Sequence, residues 1–199
     1  MRRRHFLSLC ASAPLSAARR GPPAFPDWSD DDIDRILTDS PWAAWLTVPI
    51  EKPPTRTEVY LVVRWKSALP VRQALVLAEF GRKQLDDPRA VELLNREPAN
   101  LELQIAGFPA LLFTDRATAL ESQLRQSARI SIPGRPPVPP DSVAVPPQGN
   151  HLMAELSFSR FATLTPADKS IRLSFTVDGA RIEHDFKLKD MLYQGRLEV

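Results

Sequence analysis

Apolar and polar residues alternate with a period of two in four stretches of this chain: "EVYLVVRW", "ANLELQIAGF", "LMAELSF" and "IRLSFTV". This period is typical of β-strands that bury one face, because successive side chains of a strand point to opposite sides. The residues expected to point inward are Val59, Leu61, Val63 and Trp65, then Leu101, Leu103 and Ile105, then Leu152, Ala154, Leu156 and Phe158, and finally Ile171, Leu173, Phe175 and Val177. Short further strands are predicted at "ARISIP" and "RLEV".

A tight hairpin is predicted after the last of the four long strands. Asp178-Gly179 is a strong signal for a two-residue turn, because such turns need residues that tolerate positive φ angles. The pairs expected across this hairpin are Phe175 with Ile182, Leu173 with His184, and Ile171 with Phe186.

Helical periodicity and capping signals predict several separate helices. In "WSDDDIDRIL", Ser29 is the expected N-cap, Asp32 follows three residues later, and Trp28 can pack back onto the helix. A second helix start is predicted at "SPWAAW", with Ser40 as cap and Pro41 at the first helical position. Further helices are predicted in "SALPVRQALVLAEF" (stripe Val71, Ala74, Leu75, Ala78), from Asp87-Pro88 onward (with Val91 and Leu94), and in "DRATALESQLRQ".

Short strands, a hairpin and separate helices together predict an α+β fold with a mostly antiparallel sheet of about six to seven strands and about three to five helices. The pattern fits a single domain over residues 28–199. Seven prolines between Pro133 and Pro147 predict an extended surface loop at 133–147 that joins two halves of this domain.

The first twenty residues, "MRRRHFLSLCASAPLSAARR", have the order of a secretory signal peptide: arginines, an uncharged stretch, then small residues. They also resemble a twin-arginine signal, although the polar residue usual before the arginines is absent. A basic tail is one alternative; lipidation at Cys10 is another, but Leu9 stands where a lipoprotein signal has a small residue. We expect a signal peptide at 1–20, a Pro-rich linker at 21–27, and an exported protein, periplasmic or extracellular, without a transmembrane span in the mature chain.

Removal of this segment changes the charge of the protein. Five of the 26 basic residues lie in the first twenty positions, where there are no acidic ones. From Gly21 onward the 24 acidic residues therefore outnumber the basic ones by three. A nucleic-acid partner is not expected, because a phosphate-backbone binder needs a surplus of positive charge.

The sequence has no nucleophile elbow, phosphate-binding loop, zinc-protease helix, dinucleotide-binding turn or paired-cysteine motif. The acidic run from Asp30 to Asp34 does not fit a calcium loop, because Arg35 and Pro41 stand where that loop needs Gly and Glu. These carboxylates fit the positive end of a helix instead. We therefore expect no catalytic residue, metal or cofactor that local motifs can identify.

Four basic residues are the candidate ligand-binding residues: Arg64, Lys66, Lys187 and Lys189. They could line a site for an acidic ligand, or form a solvated surface. A fifth candidate, His184, could act as a general base because imidazole titrates near neutral pH. Its neighbours on the predicted strand face are large and apolar, which favours a mostly buried, neutral histidine without a catalytic role.

Three further stretches, "SPWAAW", "VRWKSALPVRQA" and "FKLKDMLYQGRLEV", resemble a family of uncharacterised exported bacterial proteins of the kind found in acidobacteria, near the GWxTD-domain proteins. The GWxTD pentapeptide itself is absent, so that domain name is not transferred. The resemblance implies export and brings no catalytic residue with it.

Two functions remain open from the sequence. The first is an exported, non-catalytic binding or interaction module, whose partner is unknown and could be another envelope protein or polymer. The second is a small extracytoplasmic hydrolase that acts on envelope or extracellular polymers with catalytic residues dispersed through the fold. A pocket with convergent titratable side chains would favour the hydrolase, and a flat or apolar groove would favour the module.

Overall fold

The structure is a computed structural model that describes residues 24–52, 55–110, 116–148, 151–159 and 164–199. The α-helices are α1 (Asp30–Thr38), α2 (Leu69–Phe80), α3 (Pro88–Asn95) and α4 (Arg116–Ser127). The strands are β1 (Ala43–Lys52), β2 (Thr55–Trp65), β3 (Asn100–Pro109), β4 (Arg129–Ser131), β5 (Ser142–Ala144), β6 (Pro147–Gln148), β7 (His151–Ser159), β8 (Ser170–Val177), β9 (Ala180–Lys187), β10 (Leu192–Tyr193) and β11 (Arg196–Leu197). The predicted signal peptide at 1–20 and the start of the linker at 21–27 lie outside the described residues.

Six strands form the main sheet in the order β1-β2-β3-β7-β5, and β6 also pairs with β7. All of these pairings are antiparallel. The register shifts between Ala106 and Phe108, where β3 contains a bulge at Gly107. Gly107 has a φ of 104°, and a Cβ atom at this position would lie 2.5 Å from the carbonyl oxygen of Tyr60. Both facts require glycine here, because a side chain would be strained and would strike the neighbouring strand.

The hairpin predicted from Asp178-Gly179 is confirmed. β8 and β9 pair in the predicted register, with Leu173 opposite His184. Asp178 and Gly179 have φ angles of 48° and 81°, as a tight hairpin turn requires. β4 adds to this hairpin and completes a second sheet in the order β4-β8-β9.

One hydrophobic core joins the two sheets. All fifteen inward-pointing residues predicted for β2, β3, β7 and β8 are buried. Trp65 of the main sheet meets Phe186 of the second sheet edge-on, with 5.5 Å between the ring centroids. Leu120 and Leu124 of α4 belong to the same core. The predicted α+β class with antiparallel strands is therefore confirmed. The strands are divided between the six-stranded main sheet, the three-stranded second sheet and a two-stranded pairing of β10 with β11.

The first helix forms as its capping signal predicts. Ser29 Oγ accepts a hydrogen bond from the Asp32 backbone N–H at 3.1 Å, and the Asp32 carboxylate accepts one from the Ser29 N–H at 3.1 Å. Trp28 and Ile33 share a small apolar cluster with Ala74 of α2. α1 is therefore held both by its cap and by packing against α2.

The helix predicted at "SPWAAW" is wrong. Ser40 caps the end of α1 instead, because its hydroxyl donates to the Ile36 carbonyl at 2.8 Å and accepts from the Trp42 N–H at 3.2 Å. β1 begins at Ala43, which lies opposite Arg64 of β2. Pairing along a ten-residue strand outweighs a short local helix signal, since helix propensity is only a weak preference.

Smaller differences between the predicted and the observed elements also arise from packing and pairing with neighbouring elements. Ala78 of the predicted stripe on α2 is exposed, while Val76 is buried, because α2 also packs against α3 through Val76 and Ala90. Val91 of α3 is exposed. The Pro-rich segment at 133–147 is not only a loop, since it contributes the edge strand β5 to the main sheet.

Candidate ligand-binding groove

The outer face of the main sheet, opposite the core, changes from apolar to charged along its strands. The strand register places side chains there in rows that cross the sheet. One row consists of Trp45, Val62, Ala106 and Met153. The next row consists of Ala43, Arg64, Gln104, Glu155 and Ala144.

Two of the cavities on the described part of this face share part of their lining. The apolar cavity, of about 480 Å³, is lined by residues that include Trp45 and Tyr60. The charged cavity, of about 460 Å³, lies between the sheet and helices α2 and α3, and its lining includes Arg64. Ala106 and Met153 line both cavities, so the two are contiguous. We call the combined space the outer-face groove.

Arg64 is the half-buried cation of the groove. Its Nε donates to Gln104 Oε1 at 2.7 Å, and its Nη1 donates to the Leu37 carbonyl of α1 at 3.4 Å. Within the described part of the chain, no carboxylate forms an ion pair with it. Burial lowers the pKa of Arg64, because it removes water from the charged guanidinium.

Two other cations of the charged cavity have carboxylate partners within the protein. Lys66 Nζ lies 2.6 Å from Glu155 Oε1, which also accepts a hydrogen bond of 3.4 Å from Gln104 Nε2. Arg96, which also lines this cavity, forms an ion pair with Glu102. These pairs fix the geometry of the cavity wall around Arg64.

Arg72 has a structural role in the same wall. Its Nη1 donates to the carbonyl oxygens of Leu93, Leu94 and Arg96 at 3.0, 3.1 and 2.5 Å. The last carbonyls of a helix have no partner within the helix, and they carry partial negative charge. Arg72 therefore joins α2 to the carboxyl end of α3 and holds both helices beside the sheet.

The apolar end of the groove exposes two large aromatic side chains. Trp45 is 56% exposed and Tyr60 is 58% exposed, whereas most large apolar side chains of the described residues are buried. Exposed aromatic residues beside a cavity are typical of binding surfaces. The bulge at Gly107 lies here too and lines the apolar cavity without a side chain of its own.

The structure brings two of the four predicted ligand-binding residues together. Arg64 and Lys66 both line the charged cavity. Lys187 lies elsewhere, beside a shallow hollow of about 320 Å³ at the end of β9, and Lys189 is exposed in the turn that follows. Neither lines the groove among its described residues.

His184 lies in that hollow beside Lys187. It faces the side predicted for it, but it is half-buried and not enclosed. Its ring meets the ring of Phe186 edge-on, with centroids 4.6 Å apart. Burial lowers its pKa, and the nearby carboxylate of Asp185 opposes this shift.

Sequence reasoning did not identify Gln104, which bonds to Arg64 at the centre of the groove, or the apolar row beside it. Gln104, Ala106 and Met153 occupy the outward positions of β3 and β7. Outward positions occupied by apolar residues are a signal that a strand is covered on both faces, and Val62 gives that signal on β2. The sequence alone does not show which strands are neighbours.

The three stretches "SPWAAW", "VRWKSALPVRQA" and "FKLKDMLYQGRLEV" meet at one junction, and the second of them also supplies Arg64, Lys66 and Arg72 to the charged cavity. Trp42 Nε1 donates to the Glu198 carbonyl at 2.9 Å, and the Glu198 carboxylate accepts from the Leu69 N–H at 3.0 Å. Tyr193 Oη donates to Gln73 Oε1 at 2.9 Å, and its ring packs edge-on against Trp42. These stretches therefore hold the helices to the sheets.

In the part of the chain that the structure describes, no three His, Cys, Asp or Glu side chains are grouped to hold a metal ion. No helix of that part is long and apolar enough to span a membrane. Comparison with protein-family models, curated proteins and solved structures finds no match for this chain.

Proposed function

We propose that this protein is an exported binding module that holds its ligand in the outer-face groove. The observation that carries the proposal is the continuity of the groove, in which exposed aromatic side chains lead directly to the half-buried Arg64. A ligand that fills both ends would have an apolar part and a polar part. Pockets of this size with few, well-placed polar groups are typical of small-molecule sites.

A hydrolase is the second candidate, and one observation favours it. Ser157 lines a smaller cavity of about 220 Å³ together with Lys66 and Glu155. A serine nucleophile would need its hydroxyl bonded to a base. Instead, Ser157 Oγ accepts a hydrogen bond from Asn100 Nδ2 at 2.9 Å, and Lys66 forms an ion pair with Glu155. The arrangement therefore supports binding better than catalysis.

A bulky side chain placed in the groove tests whether the groove is the binding site. Ala106 is half-exposed at the junction of the two cavities, so Ala106→Trp would block the groove without entering the core. Arg181→Trp, at an exposed position of the second sheet, is the matched control. The ligands are a panel of soluble oligosaccharides, short peptides and acyl or aromatic amphiphiles, and binding is measured by ligand-observed NMR.

We expect compounds that bind the wild type and Arg181→Trp but not Ala106→Trp. Binding that survives in Ala106→Trp, or a panel without any binder, would contradict the proposal. Release of products from the oligosaccharides or peptides, with loss of turnover in Ser157→Ala, would favour the hydrolase.

Export is the second part of the proposal, and it is supported by the order of residues in positions 1–20. Amino-terminal sequencing of the protein from its native cell should find a chain that begins near Gly21. A cytoplasmic protein that retains Arg2 would contradict export.

A further inference from the structure

We propose that the ligand of the outer-face groove is a small amphiphilic carboxylate, which places its carboxylate on Arg64 and its hydrocarbon body against Trp45 and Met153. This inference rests on the proposed function and specifies the ligand's chemistry. The two halves of the ligand correspond to the two contiguous cavities.

The acidic group of the ligand is inferred from the N–H donors of Arg64 that have no partner among the described residues. A guanidinium has five N–H donors. One goes to Gln104 and one to the Leu37 carbonyl, so three have no partner among the described residues. The planar end of a guanidinium matches the two oxygens of a carboxylate.

Charge complementarity points to the same group. A half-buried cation without a counterion is costly, and an anionic ligand would offset this cost. Among the described cations of this cavity, Lys66 and Arg96 have carboxylate partners, and Arg72 is bonded to backbone carbonyls at the end of α3. Arg64 is therefore the cation to which we assign the ligand's acidic group. Glu79 also lines the charged cavity, but no ion pair joins it to Arg64 within the described residues.

The hydrocarbon body is inferred from the row beside Arg64. Val62 lies two residues from Arg64 along β2, and its row is apolar from Trp45 to Met153. Tyr60 lies two residues further on the same face and is exposed. The four residue steps from Arg64 to Tyr60 span about 13 Å of strand, which a chain of about ten carbons can cover.

Trp45 provides an internal reporter for the test. The other tryptophans, Trp28, Trp42 and Trp65, are 2%, 8% and 0% exposed, so a change in tryptophan fluorescence on binding would come mainly from Trp45. The probe is decanoate below its micellar concentration. Decan-1-ol, which lacks the charge, and acetate, which lacks the chain, are the comparison compounds.

We expect decanoate to change the fluorescence with saturation, and Trp45→Phe to remove most of the signal. Arg64→Met should weaken decanoate binding about tenfold or more, because it removes a charge-assisted pair, and should change decanol binding less than about twofold. Arg64→Lys, which keeps the charge but not the planar fork, should fall between the two. Thermal melting of each variant checks that it remains folded.

Decanoate that does not bind, or that binds no better than decanol and equally to Arg64→Met, would overturn the inference. If other compounds still bind the wild type and are lost in Ala106→Trp, the proposed function stands and only the ligand class is wrong. If Ala106→Trp retains every ligand, the groove itself is not the site.

Discussion

Gly107 is the residue whose backbone depends most directly on the absence of a side chain. Gly107→Ala should lower the free energy of unfolding by about 2–4 kcal/mol, because it combines a strained φ with a contact too close to the Tyr60 carbonyl. Chemical denaturation measures the loss. Gly179→Ala is the control, since Gly179 also has positive φ but has open space at the Cβ position.

The control should lose only about 1 kcal/mol, the cost of backbone strain alone. Equal losses at the two positions would show that β2 moves away and that the bulge is not tightly held against Tyr60. The apolar end of the groove would then be more adaptable than its geometry indicates.

His184 should make the stability of the fold depend on pH. Burial lowers its pKa below the ordinary value of 6.5, so the unfolded chain takes up this proton more readily than the folded protein does. The stability that the neutral ring contributes is complete above about pH 6.5 and is lost as the pH falls below that value towards the lowered pKa.

Denaturation curves between about pH 7.5 and about pH 5 should therefore show falling stability in the wild type. In His184→Leu this dependence should flatten, with nearly unchanged stability at neutral pH. The hollow also contains Asp185, Lys187 and Asp190. The hydrogen bond with Arg172 lowers the pKa of Asp185, away from this window. An identical slope in His184→Leu would therefore mean that the imidazole is not its source.

At the scale of elements, α2 begins without a side-chain cap of its own. Its N-cap residue is Ala68, and the distant Glu198 carboxylate bonds to the first helical N–H instead. Glu198→Ala should destabilise the protein by about 1 kcal/mol, since it removes an anion from a helix amino terminus. Urea denaturation provides the measurement.

Glu198→Gln should recover part of this stability because an amide oxygen can still accept the bond. Ser29→Ala, which removes the local cap of α1, is the matched loss at the other helix. If Glu198→Ala is as stable as the wild type, a water molecule replaces the carboxylate as the hydrogen-bond acceptor of the Leu69 N–H, and the Glu198 cap does not contribute to stability.

The elements of the fold differ in how far the sequence alone predicts them. β2, β3, β7 and β8 were predictable because one face of each is buried and the alternation is local. The hairpin was predictable because Asp178-Gly179 fixes its own register. β1 was not, since "SPWAAW" carries a genuine local cap signal at Ser40 and becomes a strand only by pairing with β2.

Local sequence patterns do not predict the groove, because its residues come together only through the pairing of strands that are distant in the chain. Arg64 and Gln104 are 40 residues apart in the chain and meet only through the register of β2 with β3. Lys187 has the same chemistry as Lys66, but it belongs to the second sheet. Residue type identified candidates, whereas topology decides which of them share a cavity.

At the scale of the whole molecule, charge predicts a weak interaction with nucleic acid. A chain that begins at Gly21 has three more acidic than basic residues. It should bind duplex DNA no better than a generic acidic protein of similar size. Fluorescence anisotropy with labelled duplex, repeated over a range of salt concentrations, measures this; tight binding with a steep salt dependence would contradict it.

The junction at Glu198 also has a consequence for the order of folding. Synthesis proceeds from the amino terminus, so the cap of α2 is made 129 residues after Leu69, and the acceptor for the Trp42 indole 156 residues after Trp42. Until residues 192–199 have left the ribosome, the amino-terminal helices lack these hydrogen bonds and the packing of Tyr193 against Trp42. The nascent chain should therefore remain more sensitive to protease until residues 192–199 emerge, so that docking of the first helices is one of the last steps of folding.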